Sequence, residues 1–155
     1  MKKTNAMRLL DASNIKYEEF EYDAKMGISG TDVAKTLSED PKLVFKTLVT
    51  VSNKSEHFVF IVPVEKELNL KKAAKAADAK KIEMLKQKDL LPLTGYVHGG
   101  CSPIGMKTRL KTFIDISAMD EEKIYVSGGK VGLQIKIAPH DLVKLTNGAP
   151  IDIAD

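Results

Sequence analysis

The stretch Leu43-Val44-Phe45-Lys46-Thr47-Leu48-Val49-Thr50-Val51 is the most strongly strand-forming segment of this 155-residue chain. It is rich in β-branched residues, which suit the pleated, half-buried surface of a sheet. A polar turn at 52–56 separates it from a second apolar stretch at 57–64. The two stretches therefore predict an antiparallel hairpin, and we expect the fold to be organised around the sheet that contains it.

Lys46 is the residue of this stretch whose type conflicts with its position. Because side chains alternate between the faces of a strand, Lys46 shares a face with Val44 and Leu48, which are expected to be buried. Two interpretations remain open. Either the ammonium has an anionic or carbonyl partner, or its long stem reaches solvent from an edge strand.

The remaining segments predict a mixed α+β fold. Helix starts are indicated by Thr4, by Ser29 with Asp32, by Asn69 and by Pro139. A further short helix is predicted at 87–91, stopping near Pro92, and further strands at 15–22, 80–85, 112–116, 124–127 and 133–137. Since these elements follow no regular β-α-β rhythm, we expect one domain built on a curved or closed sheet.

Composition excludes several classes of protein. Hydrophobic residues make up 43% and charged residues 29% of the chain, as in ordinary globular proteins. The longest apolar run, 58–64, is far shorter than the roughly 20 residues of a membrane helix, and Asp11 interrupts any signal-like N-terminal segment. Cys101 is the single cysteine, which excludes an internal disulfide and a Cys-rich zinc site. We therefore expect a cytoplasmic protein with no membrane partner.

Basic charge is concentrated in the middle third of the chain. Residues 66–111 contain eleven lysines and arginines against four carboxylates, so this segment carries +7 while the rest carries −4. Such asymmetry is typical of a surface that binds a polyanion, although lysines on an amphipathic helix also serve as a solvated face.

Two glycine-rich segments predict a binding pocket. Gly95-Tyr96-Val97-His98-Gly99-Gly100-Cys101-Ser102-Pro103-Ile104-Gly105 follows neither strand alternation nor helical spacing, and a shorter echo occurs at Ser127-Gly128-Gly129-Lys130-Val131-Gly132. Glycines permit positive φ and a close approach of backbone amides to an anion. We expect the amides of Gly99 and Gly100 to donate to an oxyanion, Lys46 to add positive charge, and Ser127 to orient a polar group of the substrate. Tyr22, at the end of an early strand, either lines this pocket or packs in the core.

Other familiar chemistries have little support. Neither GxxxxGK[ST] nor GxGxxG occurs, so no nucleotide cofactor is expected. His57, His98 and His140 lie in different segments without ligand spacing, so no metal site is expected. Cys101 and His98 form a possible nucleophile pair, but backbone amides together with Lys46 explain the chemistry more economically.

Three motifs, in this order and spacing, resemble the YbaK/EbsC family of bacterial aminoacyl-tRNA deacylases, which is related to the editing domain inserted in prolyl-tRNA synthetases. They are Phe45-Lys46-Thr47-Leu48, Gly95-Tyr96 with Gly99-Gly100-x-Ser102-Pro103-x-Gly105, and Tyr125-Val126-Ser127-Gly128-Gly129-Lys130. The resemblance covers essentially the whole chain.

The resemblance implies a single α+β domain over 1–155, with a mixed, barrel-like β-sheet surrounded by short helices. It implies hydrolysis of the ester of cysteine wrongly attached to tRNA(Pro). Lys46 would be the essential side chain, with no protein nucleophile, metal or cofactor. The substrate's own thiol would attack its carbonyl and release the tRNA and a cyclic thiolactone.

The resemblance also implies roles for two sets of residues. The aminoacyl end would be bound by Tyr22, Ser29, Gly99, Gly100, Ser127 and Gly128. The tRNA phosphates would be bound by Lys71, Lys72, Lys107, Arg109 and Lys130. The implied partners are the acceptor end of tRNA(Pro) and prolyl-tRNA synthetase.

Three positions depart from the common family pattern, namely Ser29, Cys101 and Val131. They bear on amino-acid preference and tRNA contacts more than on the class of reaction. Two alternatives therefore stay open: a non-catalytic module that binds tRNA or a synthetase, and a deacylase of altered preference, for example for alanyl-tRNA.

Overall fold

The computed structural model of the protein describes residues 2–26 and 29–155. Its α-helices are α1 (Asn5–Ala12), α2 (Gly30–Thr36), α3 (Leu70–Ala76), α4 (Gln87–Thr94) and α5 (Pro139–Thr146). Its strands are β1 (Glu18–Glu21), β2 (Phe45–Ser52), β3 (His57–Pro63), β4 (Ile82–Met84), β5 (Lys111–Asp115), β6 (Ile124–Ser127), β7 (Leu133–Ile137) and β8 (Ala149–Ile151). Short 3₁₀ turns lie at Ala24–Met26, Pro41–Leu43 and Ile116–Asp120.

The predicted hairpin is confirmed. Strands β2 and β3 pair antiparallel from Phe45 opposite Pro63 to Val51 opposite His57. They lie inside a sheet of order β4-β2-β3-β5-β8, in which β3, β5 and β8 run parallel to one another. A second, antiparallel sheet has the order β1-β7-β6. The sheets are therefore mixed, as expected.

Of the expected curved or closed sheet, the closed form is wrong, because the strands of the described residues do not close into a barrel. In the described residues, the backbones of the two sheets are joined by one parallel bridge, between Val44 and Tyr125. On the same side of β2, β4 pairs only with Thr50–Ser52. Because neither neighbour continues along β2, the edge of this strand between the two contacts is uncovered.

Two apolar clusters lie on opposite faces of the larger sheet. One packs Val59 and Ile61 of β3 with residues of the smaller sheet, α1 and α5. The other packs Phe58, Phe60 and Val62 of β3 against α3 and the C-terminal segment. Strand β3 is buried on both faces, which explains why its sequence is continuously apolar instead of alternating.

Most predicted helix starts are confirmed at the level of the cap. The side chains of Thr4, Ser29 and Asn69 each accept a hydrogen bond from a backbone N–H in the first turn of α1, α2 and α3. The predicted stop near Pro92 is wrong, because α4 continues through Pro92 to Thr94. Gly95, with φ of 82°, ends the helix by donating its N–H to the carbonyl of Leu91.

The carboxylate of Asp115 joins the end of β5 to the C-terminal segment. It is 3% exposed. Its Oδ1 accepts from the N–H groups of Ile153 (3.1 Å) and Ala154 (3.2 Å), and its Oδ2 accepts from the hydroxyl of Ser117 (2.5 Å). This one side chain therefore satisfies backbone donors that lie 38 and 39 residues away.

We predict that Asp115→Ala lowers the free energy of unfolding by about 3 kcal/mol, because it leaves buried N–H donors unpaired. Urea unfolding followed by circular dichroism measures the change. Asp120→Ala is the matched control, since Asp120 is exposed at the end of the same 3₁₀ turn. An equal effect of the two substitutions would contradict the structural role of Asp115.

Candidate active site

A cavity of about 590 Å³ opens at the uncovered edge of β2. Residues of β2 from Phe45 to Val49 form its floor, together with Val44. Its walls come from α2, from the β4–α4 segment, from the first glycine-rich segment and from the smaller sheet. On the uncovered side of β2, the carbonyl of Val49 accepts a hydrogen bond from the N–H of Leu85. Residues two apart in a strand direct their backbone groups to the same side, so the N–H and C=O of Thr47 also point toward this uncovered edge.

Lys46 lines this cavity and has only a weak internal partner. Its side chain is 25% exposed, and its Nζ lies 3.8 Å from Oε1 of Glu67, whose side chain is 89% exposed. A pair this open to water contributes little. Within the described part of the chain, no aspartate or glutamate lines the cavity. The ammonium is therefore placed to meet a ligand oxygen.

The two glycine-rich segments pack directly against each other. A Cβ added to Gly100 would lie 2.6 Å from the backbone N of Val131 and 2.9 Å from Cα of Lys130. Only glycine permits this approach. The contact brings His98, Gly99 and Cys101 of the first segment to the same cavity as Ser127.

Among the predicted glycine contacts, the structure places Gly99 in the cavity lining and leaves Gly100 and Gly128 outside it. The N–H of Gly100 donates to the carbonyl of Val97 at 3.0 Å. That of Gly128 donates to Leu133 at 2.9 Å. Both amides are therefore already used within their own segments, whereas Gly99 itself lines the cavity.

Ser29, Tyr22 and Ser127 also line the cavity. Ser29 caps α2, accepting from the N–H of Asp32 at 3.1 Å, and is exposed. The Oγ of Ser127 accepts from the N–H of Gly129 at 3.2 Å. Its hydroxyl hydrogen remains able to donate to a ligand.

Three buried polar atoms in the described part of the chain have no hydrogen-bond partner: the hydroxyls of Tyr22 and Thr47 and Oε1 of Gln134. All three residues line this one cavity. A buried polar group without a partner costs about 1–3 kcal/mol. Their convergence therefore marks the cavity as a site for a polar ligand.

Sequence reasoning missed Thr47 and Gln134. In the sequence Thr47 belongs to a β-branched strand and to the first family motif, but neither pattern assigns it a contact in the pocket. Gln134, 6% exposed, lies between buried Leu133 and Ile135, and an amide inside an apolar strand was the signal that could have drawn attention to it.

Cys101 lies at the cavity but is poorly suited to nucleophilic attack. It is 9% exposed, and burial raises the pKa of its thiol to about 11. Because the thiolate is the reactive form, this cysteine is inert near neutral pH.

The five candidate tRNA-binding residues lie outside the cavity lining. Lys71, Lys107, Arg109 and Lys130 are exposed. The ammonium of Lys72, in contrast, lies 3.1 Å from a carboxylate oxygen of Asp152 and 3.0 Å from one of Asp155. The hydrogen bonds to Asp155 and Asp152 raise the pKa of Lys72. Its charge is thus partly neutralised by the protein itself.

Two kinds of feature are absent from the described residues, a metal-binding cluster and a membrane-spanning helix. In residues 2–26 and 29–155, no three His, Cys, Asp or Glu side chains are grouped so that they could hold a metal ion. Nor does any helix in those ranges combine the length and apolarity needed to cross a membrane.

Fold and site together define a mixed α+β protein with a polar cavity that lies between an ammonium and a glycine-rich wall. Residues 29–145 match the family of the aminoacyl-tRNA editing domain. The chain belongs to this family. An Enterococcus faecalis protein named "Putative Cys-tRNA(Pro)/Cys-tRNA(Cys) deacylase EbsC" is 46% identical over 147 residues, covering 94% of this chain and 90% of that protein.

Solved structures share the fold. The crystal structure of hypothetical protein APE2540 superposes with a TM-score of 0.89 at 20% identity, covering 97% of this chain and 99% of the other. A second crystal structure, of "a putative trans-editing enzyme for prolyl tRNA synthetase", superposes with a TM-score of 0.83 at 22% identity, covering 100% of this chain and 99% of the other.

We predict that Cys101 reacts with iodoacetamide at pH 8 at least about tenfold more slowly in the native protein than in urea, because burial keeps it as the thiol. Mass spectrometry of samples quenched over time measures the rate. Equal rates in the native and unfolded protein would show that the thiol is accessible and ionised.

Proposed function

We propose that the protein is a trans-editing deacylase that removes cysteine from mischarged Cys-tRNA(Pro), with residues 1–155 forming one deacylase domain. Membership of the aminoacyl-tRNA editing family supports a hydrolase that acts on the aminoacyl ester. The name of the Enterococcus faecalis relative supports cysteine as the amino acid. The observation that carries the proposal is the ammonium of Lys46 in a cavity with three unpartnered polar atoms.

In this proposal Lys46 and the amide of Gly99 bind the ester carbonyl and stabilise the negative charge that develops on its oxygen. Tyr22, Thr47, Ser127 and Gln134 offer hydrogen bonds to the amino group and the ribose hydroxyls. Ser29 lies at the exposed side of the cavity, while Gly100 and Gly128 shape its wall without contacting the ester.

The attacking group is the thiol of the substrate. An aminoacyl ester is already activated, and a thiol held within the same molecule gains the proximity advantage that bimolecular attack lacks. The products are free tRNA and a cyclic thiolactone. The high pKa of the Cys101 thiol supports this route over one through a protein nucleophile.

Phosphates of the tRNA acceptor end are proposed to contact the exposed cations Lys71, Lys107, Arg109 and Lys130. Lys72 joins them only if it leaves Asp152 and Asp155. The reaction needs no cofactor, and we place it in the cytoplasm, in complex with prolyl-tRNA synthetase, which would supply the selection of tRNA(Pro).

We expect Lys46→Ala to lower the single-turnover rate of Cys-tRNA(Pro) deacylation by at least about a hundredfold, because the carbonyl oxygen loses its cation. Release of labelled cysteine measures the rate. Lys54→Ala is the matched control, since Lys54 is exposed in the turn of the same hairpin. Full activity of the Lys46 variant would remove Lys46 from the mechanism.

A second prediction concerns the substrate. Replacing cysteine by serine or alanine on the same tRNA is expected to slow deacylation by at least about a hundredfold, because the intramolecular nucleophile is lost. Equal hydrolysis of alanyl and cysteinyl esters would support the deacylase of altered preference. Salt-sensitive binding without release of any amino acid would support the non-catalytic module.

A further inference from the structure

Thiolactone release needs two proton transfers, one from sulfur and one to the ribose oxygen, and the cavity holds few groups that can carry the proton between them. The substrate S–H must lose its proton before or during attack, and the departing ribose oxygen must gain one. In the described part of the chain the lining contains no carboxylate. Its ionisable side chains are Tyr22, Lys46, His98 and Cys101.

Three of these four groups are poorly suited to the task. Burial raises the pKa of the Cys101 thiol to about 11, so its basic form is scarce near neutral pH. Lys46 is already assigned to the carbonyl oxygen, with Glu67 as its weak partner at 3.8 Å. The hydroxyl of Tyr22 is already assigned to a hydrogen bond with the substrate. His98 is left, and imidazole is the side chain that exchanges protons most readily near neutral pH.

The backbone that carries His98 is held in place. The N–H of Gly100 donates to the carbonyl of Val97 at 3.0 Å, closing a turn with His98 and Gly99 at its corners. Gly99 has φ of 86°, as the second corner of a type II turn requires. The tight contact between Gly100 and Lys130 fixes this turn against the second glycine-rich segment.

The imidazole of His98 is also free to act. His98 is exposed and lines the cavity. Within residues 2–26 and 29–155, its ring nitrogens make no hydrogen bond with another side chain or a backbone group. Gly99, which follows it directly, is the residue whose amide is proposed to meet the ester carbonyl. One turn thus presents an amide donor and a proton acceptor to the same cavity.

We propose that His98 is the proton carrier of the deacylation, an inference that rests on the proposed function. A ring nitrogen of His98 takes the proton as the S–H bond breaks, and sulfur forms a bond to the ester carbon. When the carbon–oxygen ester bond breaks, the imidazolium returns that proton to the ribose oxygen. The products are neutral tRNA hydroxyl and thiolactone, and His98 is restored.

The test measures single-turnover deacylation of Cys-tRNA(Pro) between pH 5.5 and 9 with the full chain. His98→Asn is expected to lower the rate at pH 7 by about a hundredfold, to flatten the acidic limb of the pH profile, and to leave binding of uncharged tRNA unchanged. Added imidazole is expected to restore part of the rate. His140→Asn is the matched control, because His140 is exposed on α5 and lies outside the cavity lining.

The possible results separate this inference from the proposed function. If Lys46→Ala is inactive while His98→Asn and His98→Gln stay within about twofold of the parent at every pH, the deacylase stands and the role of His98 is overturned. A rate loss without imidazole rescue and with an unchanged pH profile would also overturn it, because it would indicate a role in packing alone. An inactive parent protein would overturn both proposals.

Discussion

The site depends on one constraint, which is that β2 is paired along its whole length on one side and only at its ends on the other. Strand β3 covers seven residues of β2, whereas β4 reaches only Thr50–Ser52 and the smaller sheet only Val44. Within the described residues neither β4 nor β6 pairs with the middle of this edge, so β2 does not close a barrel. Lys46 and Thr47 lie in the interval between them, so a strand near the centre of the fold has an accessible edge.

The cavity beside this interval is lined by polar atoms that the protein itself leaves unpaired. Tyr22, Thr47 and Gln134 each hold a buried atom without a partner in the described residues. The buried carboxylate of Asp115 shows the opposite arrangement, since backbone and side-chain donors surround it. The contrast is the one expected between a candidate binding site, whose polar atoms are left for a ligand, and a scaffold residue such as Asp115.

The two glycine-rich segments contribute geometry more than free amides. Contact at Gly100 requires the absence of a Cβ, and the amides of Gly100 and Gly128 are used to hold the segments in shape. From the first segment, the cavity is lined by His98, Gly99 and Cys101. Charge is divided in a similar way. The cavity holds the ammonium of Lys46, while the exposed cations Lys71, Lys107, Arg109 and Lys130 lie outside it.

The sequence by itself determined the hairpin, the helix caps and the α+β class, because these follow from local alternation, β-branched residues and short-range hydrogen bonds. It also singled out Lys46, since a lysine among buried neighbours conflicts with its strand. It misjudged Pro92, because the αL cap at Gly95 sets the end of α4. Only the tertiary structure decided that the sheets stay open, that Gly99 faces the cavity while Gly100 does not, and that Thr47 and Gln134 belong to the site. Those outcomes depend on contacts between segments far apart in the chain, such as Gly100 with Val131 and Val44 with Tyr125, which no local pattern encodes.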